Sequence, residues 1–179
     1  FNFRQKNMIP VYGTADTLES VTRIFAYAFE DKESQSTKPK LGMYEIDRDP
    51  FELFGMTFQP LPLHHGRGRS TGYRFGSAAY LTDHSEIPQE TLSQLEGLDV
   101  LFLDGLRYKP HPTHSHIARS LKYVEQLKPQ RVFLTHICHD LPHARTESQL
   151  PPHVRLSYDG LEIGVGNAPP RSARPPAQD

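Results

Sequence analysis

The stretch from Asp99 to His136 reads DVLFLDGLRYKPHPTHSHIARSLKYVEQLKPQRVFLTH, and three of its segments decide the fold. Asp99-Val100-Leu101-Phe102-Leu103-Asp104 is a near-continuous apolar run, as expected of a strand covered on both faces. From Thr113 to Leu127, Ile117, Leu121, Val124 and Leu127 recur at helical spacing, and Pro129 stops the helix. Arg131-Val132-Phe133-Leu134-Thr135-His136 is a second buried strand. Strand, helix, strand in this order predicts mixed α/β layering.

The same pattern extends outward. Upstream, Gly72 to Gly76 and Ala78 to Asp83 read as two short strands joined near Gly76, and Pro88 to Leu95 as a short helix. Met56 to Leu63 is extended, and Pro60 and Pro62 place it at a sheet edge or strand end. Met43 to Ile46 and Glu52 to Phe54 are further short strands. Met8 to Gly13 is a strand, and Leu18, Val21, Ile24, Phe25 and Phe29 mark an amphipathic helix over about 16 to 29, with Thr14 or Asp16 as cap. Residues 30 to 40 carry no apolar period and read as a surface loop. Downstream, Val154 to Val165 predicts a hairpin around Asp159-Gly160. The end of the chain is rich in Pro, Ala and Arg and reads as a disordered tail. The expected division is one domain over 1–163 and a tail over 164–179.

Composition narrows the function classes. Of 179 residues, 20 are Lys or Arg and 21 Asp or Glu, a formal net charge of -1. That balance gives no electrostatic footprint for nucleic acid or a membrane surface. No run approaches the roughly 18 apolar residues of a membrane span. Cys138 is the single cysteine, so no intrachain disulfide exists and a reducing, cytoplasmic setting is expected. The chain is rich in histidine, the commonest metal ligand, with ten residues.

Three polar marks close apolar strands: Leu63-His64-His65-Gly66, Leu81-Thr82-Asp83 and Leu134-Thr135-His136. A sheet aims side chains at its strand ends into one cleft, and two imidazoles with a carboxylate suit a divalent metal. His64, next to His65 on a strand, points the other way. His84 beside Asp83 reads as a surface histidine before a supporting one. His111 and His116 either line the cleft or stand on the surface. Cys138 reads as a small buried filler. Arg74 and Arg107 either bind phosphate or form surface salt bridges. Asp104 either orients His114 or His136 or simply terminates its strand.

The order His-Gly, Thr-Asp, Thr-His-x-x-His resembles the later motifs of the metallo-β-lactamase superfamily. Ile9-Pro10-Val11-Tyr12, Gly72-Tyr73-Arg74, Leu103-Asp104-Gly105-Leu106-Arg107, Pro112-Thr113-His114 and Tyr158-Asp159-Gly160-Leu161 resemble its PhnP-like branch, which contains the phosphoribosyl cyclic phosphate phosphodiesterase. The resemblance implies a four-layer αβ/βα sandwich of which this chain supplies the later part. It implies His65 as a ligand of one metal, Asp83 bridging two metals, and His136 as a ligand of the second. His114 matches the catalytic histidine that meets the phosphate and protonates the leaving oxygen. His139 matches a histidine that joins N-terminal cysteines around a structural zinc. Two divalent ions, Zn or Mn, are the implied cofactors.

The implied reaction is hydrolysis of a small phosphate ester, cyclic ones among them, by a metal-bound hydroxide. The small-molecule ester is then the partner, with no membrane or nucleic acid, and a homodimer is left open. Other superfamily hydrolases, of thioesters, lactones or RNA ends, are the alternatives, together with a non-catalytic binding module. No His-x-His-x-Asp-His occurs in this sequence, and no cysteine cluster. The expectation is therefore a fragment beginning just after the first metal motif, with too few ligands of its own for a tight dinuclear site.

Overall fold

The computed structural model describes residues 7–29 and 37–165. They fall into two compact units, divided between Asp49 and Pro50. In the first, β1 (Ile9–Gly13) runs parallel to β2 (Leu41–Glu45), with α1 (Ala15–Ile24) and a 3-10 turn (Ala26–Ala28) between them in sequence. The helix expected over 16 to 29 thus ends earlier: Phe25 leaves helical geometry at ψ 36° and the chain tightens into the 3-10 turn. Thr14 stands at the N-cap, and its hydroxyl bonds that of Thr17 and not the backbone. Most of the predicted 30–40 loop lies outside the described residues.

The second unit is built on a seven-stranded sheet of β3 (Phe51–Leu53), β4 (Met56–His65), β5 (Gly68–Phe75), β6 (Ala78–Leu81), β7 (Val100–Asp104), β8 (Arg131–Thr135) and β9 (Val154–Leu156), which lie side by side in sequence order. β3 to β6 form an antiparallel meander, and β6 to β9 are parallel. The crossovers carry α2 (Gln89–Leu92), α3 (Ile117–Leu127) and α4 (His143–Glu147). The sequence pattern missed α4, a single turn with no apolar period. The mixed α/β class holds.

Alternation along the strands sorts the two faces. Leu61, Leu63, Leu81, Leu101, Leu103, Leu134 and Leu156 are almost fully buried and pack with Ile117 and Val124 of α3. The opposite face carries Phe102 stacked on Phe133, 5.4 Å between ring centroids, and Tyr80 tilted on Phe102. Leu161, Ile163 and Val165 lie against this second cluster. The hairpin predicted over 154 to 165 is not formed. β9 instead pairs parallel with β8, and residues beyond the turn at Tyr158 contribute apolar side chains without a ladder.

Pro60 and Pro62 lie within β4, whose neighbours are β3 and β5. β3 reaches only Met56 to Phe58. Further along, the N–H of His64 points away from β5 and donates to Glu86 O at 3.1 Å. Pro60 and Pro62 share that parity, so their missing N–H falls where no strand asks for one. The edge expected from the prolines is local, and the Thr91 hydroxyl covers it by donating to Pro62 O at 2.7 Å.

α3 begins at Ile117, with His116 as N-cap, three residues after His114. His114 therefore belongs to the loop that precedes the helix and not to its first turn. Among the described residues no helix is long and apolar enough to cross a membrane.

His84 overturns the surface reading, since its exposure is 0 %. Its carbonyl accepts the Ser115 N–H at 2.6 Å, which seats the 105–116 loop over the ring. Burial pushes its pKa down to about 4, against the opposing pull of Asp104 and the Leu81 carbonyl, with His114 and Arg119 adding to the lowering.

Two predictions follow from these packing facts. A Cβ on Gly72 would lie 2.5 Å from Leu81 Cδ2, 3.1 Å from Leu63 Cδ1 and 3.1 Å from the Tyr80 carbonyl. Gly72→Ala should therefore cost about 1–3 kcal/mol in urea unfolding, as overpacking does. The second concerns pH. Between 6.5 and about 4 the unfolded chain takes up a proton at His84 that the folded chain refuses. Stability is thus full above 6.5 and falls as pH drops toward 4, by on the order of 3 kcal/mol from this ring. Urea midpoints at pH 7.5 and 5.0 check it: His84→Leu should flatten the dependence, and an equal slope in both proteins would refute the assignment.

Candidate metal centre

Four strands deliver their ends to one edge of the sheet. β6, β7 and β8 are parallel, and β4 points the same way because two antiparallel steps separate it from β6. Their C-terminal ends present His65, Asp83, Asp104 and His136, the arrangement that places sites in open α/β sheets.

The backbone at two of these positions is unusual. Asp83 and His136 adopt φ of 58° and 55°, left-handed geometry that non-glycine residues rarely take. The other two such residues are accounted for by local structure: Phe54 sits in the β3–β4 turn and Lys128 caps the C-terminus of α3. At Asp83 and His136 the strain, about 1 kcal/mol or more each, turns the side chain back across the sheet edge. The result is contact: His136 Nε2 lies 3.3 Å from Asp83 Oδ1.

His114 completes the cluster from the loop before α3. Its Nδ1 is 3.6 Å from Asp83 Oδ1 and 3.4 Å from Asp104 Oδ2. Its ring lies 4.5 Å from that of His136 and 4.7 Å, edge to face, from that of His65. Asp83, His114 and His136 offer ligand atoms all within 4.8 Å of one another. Both acids facing His114 Nδ1 are acceptors, so that nitrogen carries the proton and Nε2 is left for chemistry. His114 is then better suited to hold or pass a proton than to ligate through Nδ1.

His65 is fixed from behind. Its Nδ1 donates to the Thr113 carbonyl at 2.9 Å, which leaves Nε2 open to a ligand, the pattern that outer hydrogen bonds impose on metal-binding histidines. Gly66 permits this approach. Its φ is +61° and a Cβ there would lie 2.7 Å from Thr113 Cγ2.

Asp104 is the member that the sequence left ambiguous. It is fully buried and accepts the Asp83 N–H at Oδ1 and the His84 N–H at Oδ2, both at 3.0 Å, besides His114. It orients His114 and the turn that carries Asp83, and among the described residues it makes no hydrogen bond to His136. The signal was present in the first polar residue after Val100-Leu101-Phe102-Leu103, but not its partners.

The remaining candidates separate. His111 stands beside the cluster, its ring 5.2 Å from that of His114 and its Nδ1 accepting from Thr113. His116 caps α3. His139 is 95 % exposed, and its Nε2 lies 3.4 Å from Asp140 Oδ1. Cys138 is half-buried and not the buried filler expected. Arg107 forms no salt bridge among the described residues and braces its own loop by donating to Lys109 O and Pro110 O. Arg74 donates to Gln94 O, and burial lowers its pKa.

The residues present fit divalent metals. Imidazole nitrogens and a carboxylate, steered together by left-handed backbone and outer hydrogen bonds, are the donor set such ions take.

Comparison with known proteins agrees with this geometry. A solved diphosphatase of the PhnP family shares 41 % identity with this chain at a TM-score of 0.83, over 93 % of this chain and 62 % of that one. Zinc-bound PqqB from Methylobacterium extorquens shares the fold at 16 % identity, with a TM-score of 0.70 over 92 % of this chain and 67 % of that one. An octanoyltransferase of Porphyromonas gingivalis is 35 % identical over 157 residues, 86 % of this chain, but the chain spans only 32 % of that relative. The model of the β-lactamase superfamily domain matches residues 2–137, the span that holds β1 through β8 and every residue of the cluster. The chain belongs to the β-lactamase superfamily, with a PhnP-like sequence and fold.

Proposed function

We propose that this protein is a metal-dependent hydrolase of small phosphate esters, a phosphodiesterase whose substrates include cyclic ones. The observation that carries the reading is the convergence of His65, Asp83 and His136 on one sheet edge beside a histidine, His114, whose Nδ1 faces two acids. The 41 % identity to a PhnP-family diphosphatase supports the phosphate class.

His65, Asp83 and His136 would hold the metals. Bound there, divalent ions supply an activated water and offset the charge that develops on the phosphate. Asp83, half exposed and central to the cluster, is the carboxylate able to lie between two ions. His114 is only 15 % exposed, and Asp104 supports its ring from the buried side. A proton on His114 Nε2 passes to the leaving oxygen as the P–O bond breaks, and Asp104 holds the ring in place throughout. This division of labour requires a histidine outside the ligand set, which the contacts of His114 Nδ1 provide.

The octanoyltransferase relative points to acyl chemistry, yet about two thirds of that protein lies outside the match. A substrate panel decides between the two. With Mn²⁺ or Zn²⁺ added, the protein should cleave bis(p-nitrophenyl) phosphate and a cyclic phosphate ester and leave p-nitrophenyl octanoate intact. His114→Asn should lower kcat by about 10²–10⁴-fold with little change in KM, the usual effect of losing a general acid. Asp83→Asn should lower metal content as well as rate. Cleavage of the octanoate alone, or a His114→Asn variant with unchanged kcat, would sink the proposal.

A further inference from the structure

One ring in the second unit has no part in the chemistry above. His84 is fully buried, neither of its nitrogens meets a partner in good hydrogen-bond geometry, and the Leu81 carbonyl and Asp104 are the acceptors that draw on the ring. Cores rarely leave polar atoms unpaired, because each forfeits the hydrogen bonds it would make to water. A leucine of similar volume would fill the same space without that cost. The imidazole is therefore to be understood through what it faces.

It faces Asp104. His84 Nδ1 lies 3.8 Å from Asp104 Oδ2, a few tenths of an ångström beyond a hydrogen bond. The same oxygen meets His114 Nδ1 at 3.4 Å and accepts the His84 backbone N–H at 3.0 Å. Asp104 Oδ2 thus stands between two imidazoles, one in the core and one in the site. The Tyr123 ring, 6.1 Å away, stands near the His84 ring, and the Tyr123 hydroxyl is already engaged by the Ile87 N–H at 3.1 Å. The His84 carbonyl holds Ser115, the neighbour of His114, at 2.6 Å. His84 therefore touches both supports of His114: the carboxyl that faces its ring and the loop that carries its backbone.

We propose that His84 is a positioning residue, whose buried ring backs the Asp104 carboxyl and so keeps the proton of His114 on Nδ1. This rests on the reading of His114 as the proton-carrying residue. Removal of the ring takes away one wall of the Asp104 carboxyl, which the Asp83 and His84 N–H groups alone then hold, and its contact with His114 Nδ1 loosens. The role differs from simple core filling in one respect. A filler can be replaced by leucine without consequence for His114, whereas a positioning ring cannot.

Long-range ¹⁵N–¹H spectra of the histidines test this in the metal-free full chain at one pH, with no dependence on activity. The wild-type protein should show His114 as a single tautomer with its proton on Nδ1. His84→Leu should show a mixture of the two tautomers, and His84→Asn, which restores an N–H donor, should recover most of the original signal. His84→Phe serves in place of the leucine variant should that one not fold. A wild-type tautomer pattern persisting in His84→Leu or His84→Phe overturns the proposal, as does a wild-type His114 without the Nδ1 proton. Failure of the phosphodiesterase reading would show separately, in the substrate panel, and would leave this measurement unaffected.

Discussion

The buried carboxyl of Asp104 is the constraint on which the site depends. It ends β7 at zero exposure and gathers three N–H groups, from the backbone of Asp83 and His84 and from the ring of His114. A buried carboxyl with too few donors is costly, so these three contacts are mutually required. They also join three separate parts of the chain: the end of β6, the end of β7 and the loop before α3. Its main chain is held as firmly, because the Ser120 hydroxyl of α3 donates to the Asp104 carbonyl at 2.6 Å. The position of His114 relative to Asp83 is therefore set by a side chain that is buried from solvent.

That anchoring explains how the left-handed turn at Asp83 persists. The Asp104 carboxyl binds the N–H groups of Asp83 and of the following residue, so the strained geometry is over-determined by its surroundings. At His136 a related tie acts one residue earlier, where the Thr135 carbonyl accepts the Gly105 N–H at 2.8 Å. A Cβ on Gly105 would lie 2.8 Å from Leu134 Cβ, so this close approach of two strand ends needs glycine. The side chains that meet in the cleft are held by backbone hydrogen bonds made just behind it.

Much of this was legible in the sequence, for identifiable reasons. Strands β7 and β8 announced themselves because both faces are covered, which leaves no room for polar residues. The helix between them was visible in the spacing of Ile117, Leu121, Val124 and Leu127. His65, Asp83 and His136 stand out as candidates because each follows an apolar run. What remained hidden depends on contacts across the fold. His84 looked like a surface residue since it follows a polar strand end, and only the Ser115 bond that draws the 105–116 loop over it reveals its burial. Arg107 invited an anion-binding reading, while its guanidinium is taken up by carbonyls two and three residues away. The predicted final hairpin failed because Val154 to Leu156 had a better partner in β8, an open parallel edge that local pattern does not display.

The contrast between His114 and His65 carries the last step. Both rings meet in the cluster, and both turn their Nδ1 away from open solvent, yet the acceptors differ. His65 Nδ1 meets a neutral carbonyl, that of Thr113, while His114 Nδ1 meets the acids of Asp104 and Asp83. A carbonyl fixes a tautomer and leaves Nε2 a simple donor to a metal. A carboxylate fixes the tautomer as well, with a charged acceptor in place of a neutral one. Under the proposed function, the same residue type, placed a few ångströms apart, would serve ligation at His65 and proton transfer at His114 according to its second nitrogen's partner.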